Sequence, residues 1–175
     1  LDFPHETEVH RRQHEEAMRR VPAVYDECCR SFEEVFGRKP PPAVVPYRVD
    51  DAEILIVSMG TTAATVRVAV DRARDEGLKI GALRVRMFRP LPEDAIRTAL
   101  RHCRRVAVID RNLSPGLGGI LWGEMRSLAG PNTVVQNYLV GLGGGDIRPV
   151  HVDRIIRDVS AREHAPEPVF MEAGE

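Results

Sequence analysis

The sequence has 175 residues, 43% hydrophobic and 29% charged, with 25 basic against 26 acidic side chains and a net charge of -1. That length supports one ordinary core plus a peripheral segment, and the apolar runs are strand-length rather than membrane-length. Balanced charge, one Trp and three Tyr exclude an overall field that would recruit nucleic acid or an anionic membrane, and argue against a stacking surface for single strands.

Residues 1 to about 38 are rich in Glu, Arg and His, and carry Met18, Val21, Val24, Tyr25, Cys28, Phe32 and Phe36 at helical spacing. They predict one or two helices, with Pro22 kinking the run or starting a second helix near Val21, and Gly37 closing it. Lys39 to Pro46 contains four prolines and reads as an extended linker. The expected organisation is therefore a helical segment and linker over 1–46, an α/β domain over 47–165 and a loose tail over 166–175.

From Ala52 short apolar runs alternate with amphipathic ones, the pattern of strand and helix units around a parallel sheet. Ile54 to Val57 is a buried strand. Thr61 or Thr62 can cap a helix reaching Glu76, with Gly77 ending it and Ala64, Val68 and Ala69 facing the sheet. A second strand covers Ile80 to Val85, and Pro90 and Pro92 bracket a turn into a helix from Glu93 to about His102. Val106 to Ile109 is the third strand, followed by a glycine-rich loop and a helix over Ile120 to Leu128 that Gly130 and Pro131 stop. The fourth strand, Val134 to Val140, leads through another glycine-rich loop to a helix from Val150 to Ala161, with Pro149 in its first turn. An additional strand from Tyr47 to Val49 is compatible with the pattern. The fold class is α/β, three-layered, with a mostly parallel sheet and helices on both faces.

Three turns hold the candidate residues. Ser58-Met59-Gly60-Thr61-Thr62 feeds a helix N-terminus, where free amides and the helix dipole favour an anion, or where a threonine simply caps the helix. Gly60 and Thr61 are the candidates there. The loop Asp110-Arg111-Asn112-Leu113-Ser114-Pro115-Gly116-Leu117-Gly118-Gly119 lies past a strand end, where open α/β sheets bind ligands. In it Asp110 and Arg111 can pair with each other or meet a neighbouring chain. Gly116, Gly118 and Gly119 permit close backbone approach, for a ligand or for a tight crossover. The third loop, Gly141-Leu142-Gly143-Gly144-Gly145-Asp146, demands backbone shapes that side chains forbid, and Asp146 can cap the last helix. This makes Gly141, Gly143, Gly144 and Asp146 candidates for interface or ligand contact. Both glycine-rich loops are expected at the carboxyl edge of the sheet.

Catalytic and metal-binding sets are not evident. His10 and His14 lack the HExxH arrangement and read as solvated helix residues. Arg84, Arg86 and Arg89 read as a solvated face, with an anionic partner or coenzyme as the alternative. Cys28, Cys29 and Cys103 form neither a disulfide framework nor a CxxC site, so a reducing, cytoplasmic setting is expected. The chain starts at Leu1 rather than Met, which suggests a piece of something larger.

In order, Phe36-Gly37-Arg38, Tyr47, Asp51-Ala52-Glu53, Ser58-Met59-Gly60-Thr61, Val85 to Pro92, Val108 to Gly116 and Gly141 to Ile147 resemble the end of the α subunit of 2-oxoacid:ferredoxin oxidoreductases. The Asp-Arg and Gly-Leu-Gly-Gly elements are most similar to the pyruvate branch. Gly145 departs from the arginine usual there. The resemblance implies a transketolase C-terminal-like domain acting as scaffold and interface, without catalytic residues of its own. It also implies a parent complex with thiamine diphosphate, Mg and iron–sulfur clusters that converts a 2-oxoacid and CoA to acyl-CoA and reduces ferredoxin. Partners would be the other domains or subunits and, through them, ferredoxin. Two further readings remain beside this one: a free-standing anion- or nucleotide-binding module, and an oligomerisation domain that forms a homo-oligomer.

Overall fold

The computed structural model describes residues 3–165 and 167–171, and the chain divides into two compact units. The first comprises Leu1–Ala43 and Met87–Pro92. Its main element is helix α1 (Pro4–Phe36), 33 residues long without one buried side chain. Pro22 lies inside this helix, which is assigned as one element rather than two. Proline deletes one amide donor, and on an exposed helix water satisfies the carbonyl left free. Gly37 ends it in the left-handed region with φ 66°, as a C-terminal glycine should.

The half-covered stripe of α1 is Met18, Val21, Tyr25, Cys29 and Phe32. Val24, Cys28 and Phe36, expected on that stripe, are exposed, because a seam stepping three and four residues from Val21 reaches Tyr25 and Cys29 instead. Within this unit Tyr25 donates to the carbonyl of Pro41 at 2.8 Å, and the Arg38 guanidinium lies 5.1 Å from the Phe32 ring centre.

The second unit, Val44–Arg86 with Glu93–Glu175, is built on a six-stranded sheet in the order β1-β3-β2-β4-β5-β6. Strands β2 (Ile54–Met59), β3 (Ile80–Val85), β4 (Arg105–Asp110) and β5 (Val134–Val140) are parallel. Edge strand β1 (Val44–Tyr47) runs antiparallel to β3. Sequence reading assigns most of that stretch to the linker and starts a strand only at Tyr47. The chain instead pairs earlier and leaves the ladder at Arg48, whose φ is 52°. Pro46 is tolerated because an edge strand needs its amides on one side only.

At the opposite edge β6 (Val169–Met171) runs parallel to β5. These residues fall in the expected tail, so the tail reading is corrected there. Three residues with Phe170 exposed are too few to give an alternating pattern. The remaining tail positions, 166 and 172–175, lie outside the described residues.

Helices α2 (Thr62–Asp75) and α5 (Pro149–Ala161) share one face. There Ile54, Ile56, Ala107, Ile109, Tyr138 and Val140 of the sheet pack with Val66, Ala69, Val70 and Ala73 of α2 and with Val152, Ile155, Ile156 and Val159 of α5. Strand alternation turns Leu55, Val57, Val106 and Val108 to the other face, which α3 (Glu93–Leu100) and α4 (Ile120–Leu128) cover. Ala64 and Val68, expected to face the sheet, are exposed. The helix begins at Thr62 in a phase that points Ala63, Val66, Val70 and Ala73 inward instead. Since β5–α5–β6 moves along the sheet in the same direction as β4–α4–β5 but uses the opposite face, the two crossovers have opposite hands. One of them thus departs from the usual right-handed connection.

Candidate functional site

Parallel strands deliver their following loops to one edge. Here β2 and β4 are neighbours whose chains continue in opposite directions along the sheet, toward β3 and β5. Between their carboxyl ends, the turn from Met59 to Thr62 and the segment from Ile109 to Asn112 border a cleft of about 360 Å³, floored in part by Leu121. Gly60 and Thr61 therefore meet Asp110 and Arg111. Larger cavities lie elsewhere, one of about 530 Å³ at the amino end of β5 and one of about 450 Å³ between α2 and α5.

The loop after β4 is closed by its own side chains. Asp110 is buried, and its carboxylate accepts the backbone N–H of Leu121 and of Trp122, each at 3.0 Å. Asn137 on β5 donates to the same carboxylate at 3.1 Å, and its Oδ1 accepts the N–H of Gly119 at 2.8 Å. Asn112 Oδ1 accepts the N–H of Ile120 at 3.1 Å. All four amides that open α4 thus have acceptors from the chain itself, and no donor remains there for an external anion. Burial raises the Asp110 carboxyl above the ordinary range, while the hydrogen bonds from Trp122, Leu121 and Asn137 work the other way.

Gly119 has an ordinary extended backbone, φ -70°. Its requirement is space, because a Cβ there would stand 1.9 Å from Asp110 Oδ2. Asp110 and Arg111 do not pair with each other. Arg111 reaches the third turn, where its Nη2 donates to the Gly145 carbonyl at 3.0 Å. The two glycine-rich loops are thereby joined.

In the third loop, Gly141 must be glycine for two reasons: φ is 67°, and a Cβ would approach the Gly145 carbonyl oxygen to 2.6 Å. Gly143 and Gly144 have positive φ with open space around them. Asp146 is exposed and does not cap α5. The helix starts at Pro149, and the amide of the residue before it, Arg148, donates to Nδ1 of His151 at 3.2 Å. His151 is fully buried. It fills the reciprocal role usually taken by a glutamate three residues in, a role that a motif limited to Glu or Gln does not reveal.

The α2 turn differs again. Thr61 has helical backbone angles and makes no side-chain capping bond, so the threonine cap expected from sequence is absent. A cap needs extended φ/ψ to bring its oxygen back over the first turn. Five large apolar side chains decorate the same loop edge and are exposed: Leu113, Leu117, Ile120, Leu142 and Val150. Among the described residues no group of three His, Cys, Asp or Glu side chains is arranged to hold a metal ion, and no helix is long and apolar enough to cross a membrane.

Residues 52–152 match the family described as pyruvate:ferredoxin oxidoreductase core domain II. Over 143 residues, 82% of this chain and 37% of the relative, the sequence is 41% identical to pyruvate synthase subunit PorA of Methanothermobacter thermautotrophicus. It is 36% identical over 151 residues to ketoisovalerate oxidoreductase subunit VorA of Pyrococcus abyssi, covering 85% of this chain and 37% of that protein. The chain therefore spans well under half the length of these curated relatives. A 2-oxoglutarate:ferredoxin oxidoreductase from Magnetococcus marinus, solved with 2-oxoglutarate, coenzyme A and succinyl-CoA bound, shares the fold. Its TM-score is 0.55 at 21% identity, over 72% of this chain and 20% of that one.

Proposed function

The chain belongs to the pyruvate:ferredoxin oxidoreductase core domain II family, and from that membership we propose that it is a non-catalytic interface domain of a thiamine diphosphate-dependent 2-oxoacid:ferredoxin oxidoreductase. The parent complex oxidatively decarboxylates a 2-oxoacid, pyruvate by the weight of similarity, and transfers the acyl group to CoA while electrons pass to ferredoxin. Thiamine diphosphate, Mg and the iron–sulfur clusters belong to the other domains or subunits. The chain has three cysteines, fewer than the four thiolates that hold ferredoxin-type clusters. Cys28, Cys29 and Cys103 are free thiols, which fits the reducing cytoplasm in which such a complex works.

The observation that carries this reading is the loop edge after β4 and β5. Its α4 amides are satisfied internally, and Arg111 is spent on binding the two loops together, while five large apolar side chains face outward. An edge whose helix-opening amides are committed and whose apolar groups are exposed is suited to meeting another protein surface. The glycines of both loops let backbone approach backbone there.

The test is assembly. Leu117→Lys combined with Leu142→Lys should abolish association with the remaining subunits or domains in co-expression and size-exclusion experiments. The melting temperature of the purified chain should stay within a few degrees, because both side chains are already solvated. Intact assembly of the double variant would overturn the assignment of this edge.

A further inference from the structure

Beneath the first turn of α2, on the opposite face from Asp110, two buried polar atoms have no partner. Ser58 is 1% exposed and its Oγ makes no hydrogen bond; the same holds for Nε of Arg84. They are neighbours, since Ser58 and Arg84 are aligned partners in the β2–β3 ladder. Ile54 and Ile56 precede Ser58 at alternate positions, as Ile80 and Ala82 precede Arg84, and all four lie in the cluster under α2 and α5. The alternation therefore turns Ser58 and Arg84 to that face as well. Because α2 runs back antiparallel over β2 and starts at Thr62, with Thr62 and Ala63 both buried, its N-terminus overlies the Ser58 end of the strand.

Donors of one kind converge there. Nε of Arg84 is buried without a hydrogen-bond partner. The amides of Thr62 and Ala63 have no intrahelical acceptor, and no side chain caps them. Arginine Nε–H can only donate, and the helix dipole adds positive potential. The one carboxylate of this edge that is buried, Asp110, is turned to the other face and committed to α4. Unmatched buried donors are costly in a native fold, and a set of them around one point calls for an acceptor.

We propose that Ser58, Arg84 and the first turn of α2 form a binding site for a small oxyanion beneath that turn. The site takes a phosphate or carboxylate group of a small molecule, held by the Arg84 fork, the Ser58 hydroxyl and the Thr62 and Ala63 amides. It does not depend on the assignment of the loop edge to a protein interface, because none of its groups belongs to that edge's apolar set.

The experiment is a titration of the full chain by inorganic phosphate and, separately, by acetate, with sodium chloride as the ionic-strength control. It is read by amide shifts of Gly60, Thr62 and Ala63 and by the Arg84 Nε–H resonance. Saturable shifts confined to these groups are expected with at least one of the two anions. Phosphate alone identifies a phosphorylated ligand, acetate alone a carboxylate, and both the shared class. Arg84→Gln should weaken binding about tenfold or more and Ser58→Ala several-fold, while Arg84→Lys, which keeps the charge, should fall between wild type and Arg84→Gln. The wild-type titration decides the matter should a variant not fold. Shifts no different from those in sodium chloride would overturn the proposal, as would affinity unchanged by Arg84→Gln and Ser58→Ala.

Discussion

Replacing Gly119 by alanine tests whether the N-terminus of α4 is as tightly closed as its hydrogen bonds imply. The φ of -70° suits any residue, and alanine in such a position ordinarily stabilises by about 0.4–1 kcal/mol through the unfolded state. Here the new Cβ would stand 1.9 Å from Oδ2, 2.2 Å from Cγ and 2.6 Å from Cβ of Asp110. Rotating the carboxylate removes the first two collisions but not the third, so the backbone of β4 or of the loop must also move. The shift withdraws the acceptor of the Leu121 and Trp122 amides, whose loss as a cap costs about 0.5–2 kcal/mol. It also leaves a buried carboxylate short of donors, for about another 1–3 kcal/mol. The expected destabilisation is on the order of 3 kcal/mol, or roughly 6–12 °C in melting temperature for a chain of this size.

Urea unfolding and calorimetry would measure it, and a double-mutant cycle identifies the cause. In an Asp110→Gly background the three colliding atoms are gone, so Gly119→Ala should cost nearly nothing. The two substitutions should therefore be non-additive by about 2 kcal/mol or more. A Gly119→Ala cost below about 0.5 kcal/mol, or equal costs in both backgrounds, would refute the reasoning.

Purified alone and supplied with thiamine diphosphate, CoA and pyruvate, the chain should not reduce a viologen dye, and any 2-oxoacid-dependent reduction would contradict its assignment as a non-catalytic domain. Gly143→Val should strain a backbone at φ 68°, costing about 1–2 kcal/mol in unfolding assays, and should impair assembly of the complete enzyme more than that loss accounts for. Burial raises the Cys103 thiol from 9.0 to about 11. The unfolded chain therefore ionises first, and the contribution, about 3 kcal/mol in full, is present below pH 9 and lost as pH rises from 9 toward 11. Denaturation midpoints across that range, compared with Cys103→Ala, would measure it, and Cys28 should be alkylated far faster than Cys103 at pH 8. Tyr47→Phe should cost about 1 kcal/mol in urea unfolding by removing the hydroxyl that donates to Asp71 at 2.8 Å.

The parallel core was legible because Ile80–Val85 and Val134–Val140 are apolar runs of strand length between Gly, Pro and polar punctuation, and Ile120–Leu128 is bounded by Gly119 and Gly130. The edges were not. Pro46 disguises β1, and β6 is shorter than any period that a pattern can register. The loops were found through their glycines, but the roles inside them were not readable. Asp110 caps a helix ten residues further on and depends on Asn137 from another strand, whereas cap motifs read adjacent positions only. A different limit led to Asp146 as a cap in place of His151, because the reciprocal position of a capping box is read for Glu or Gln and not for histidine. Ser58 and Arg84 become a pair only through strand register, which local pattern does not supply.

The placement of α5 beside α2, at the far end of the sequence from the strands it covers, makes the domain finish late during synthesis. The face under α3 and α4 has all its parts once Val140 has emerged. Ile109, Tyr138 and Val140 on the other face wait for Val152, Ile155, Ile156 and Val159 to arrive. Until then a growing chain presents an apolar sheet surface with only α2 to shield it, a surface prone to unintended association. A chain cut anywhere between Val140 and Val159 would carry that defect permanently. Helix α5 is therefore the element whose loss should make the domain prone to aggregation, although of the apolar side chains proposed for the interface it carries Val150 alone.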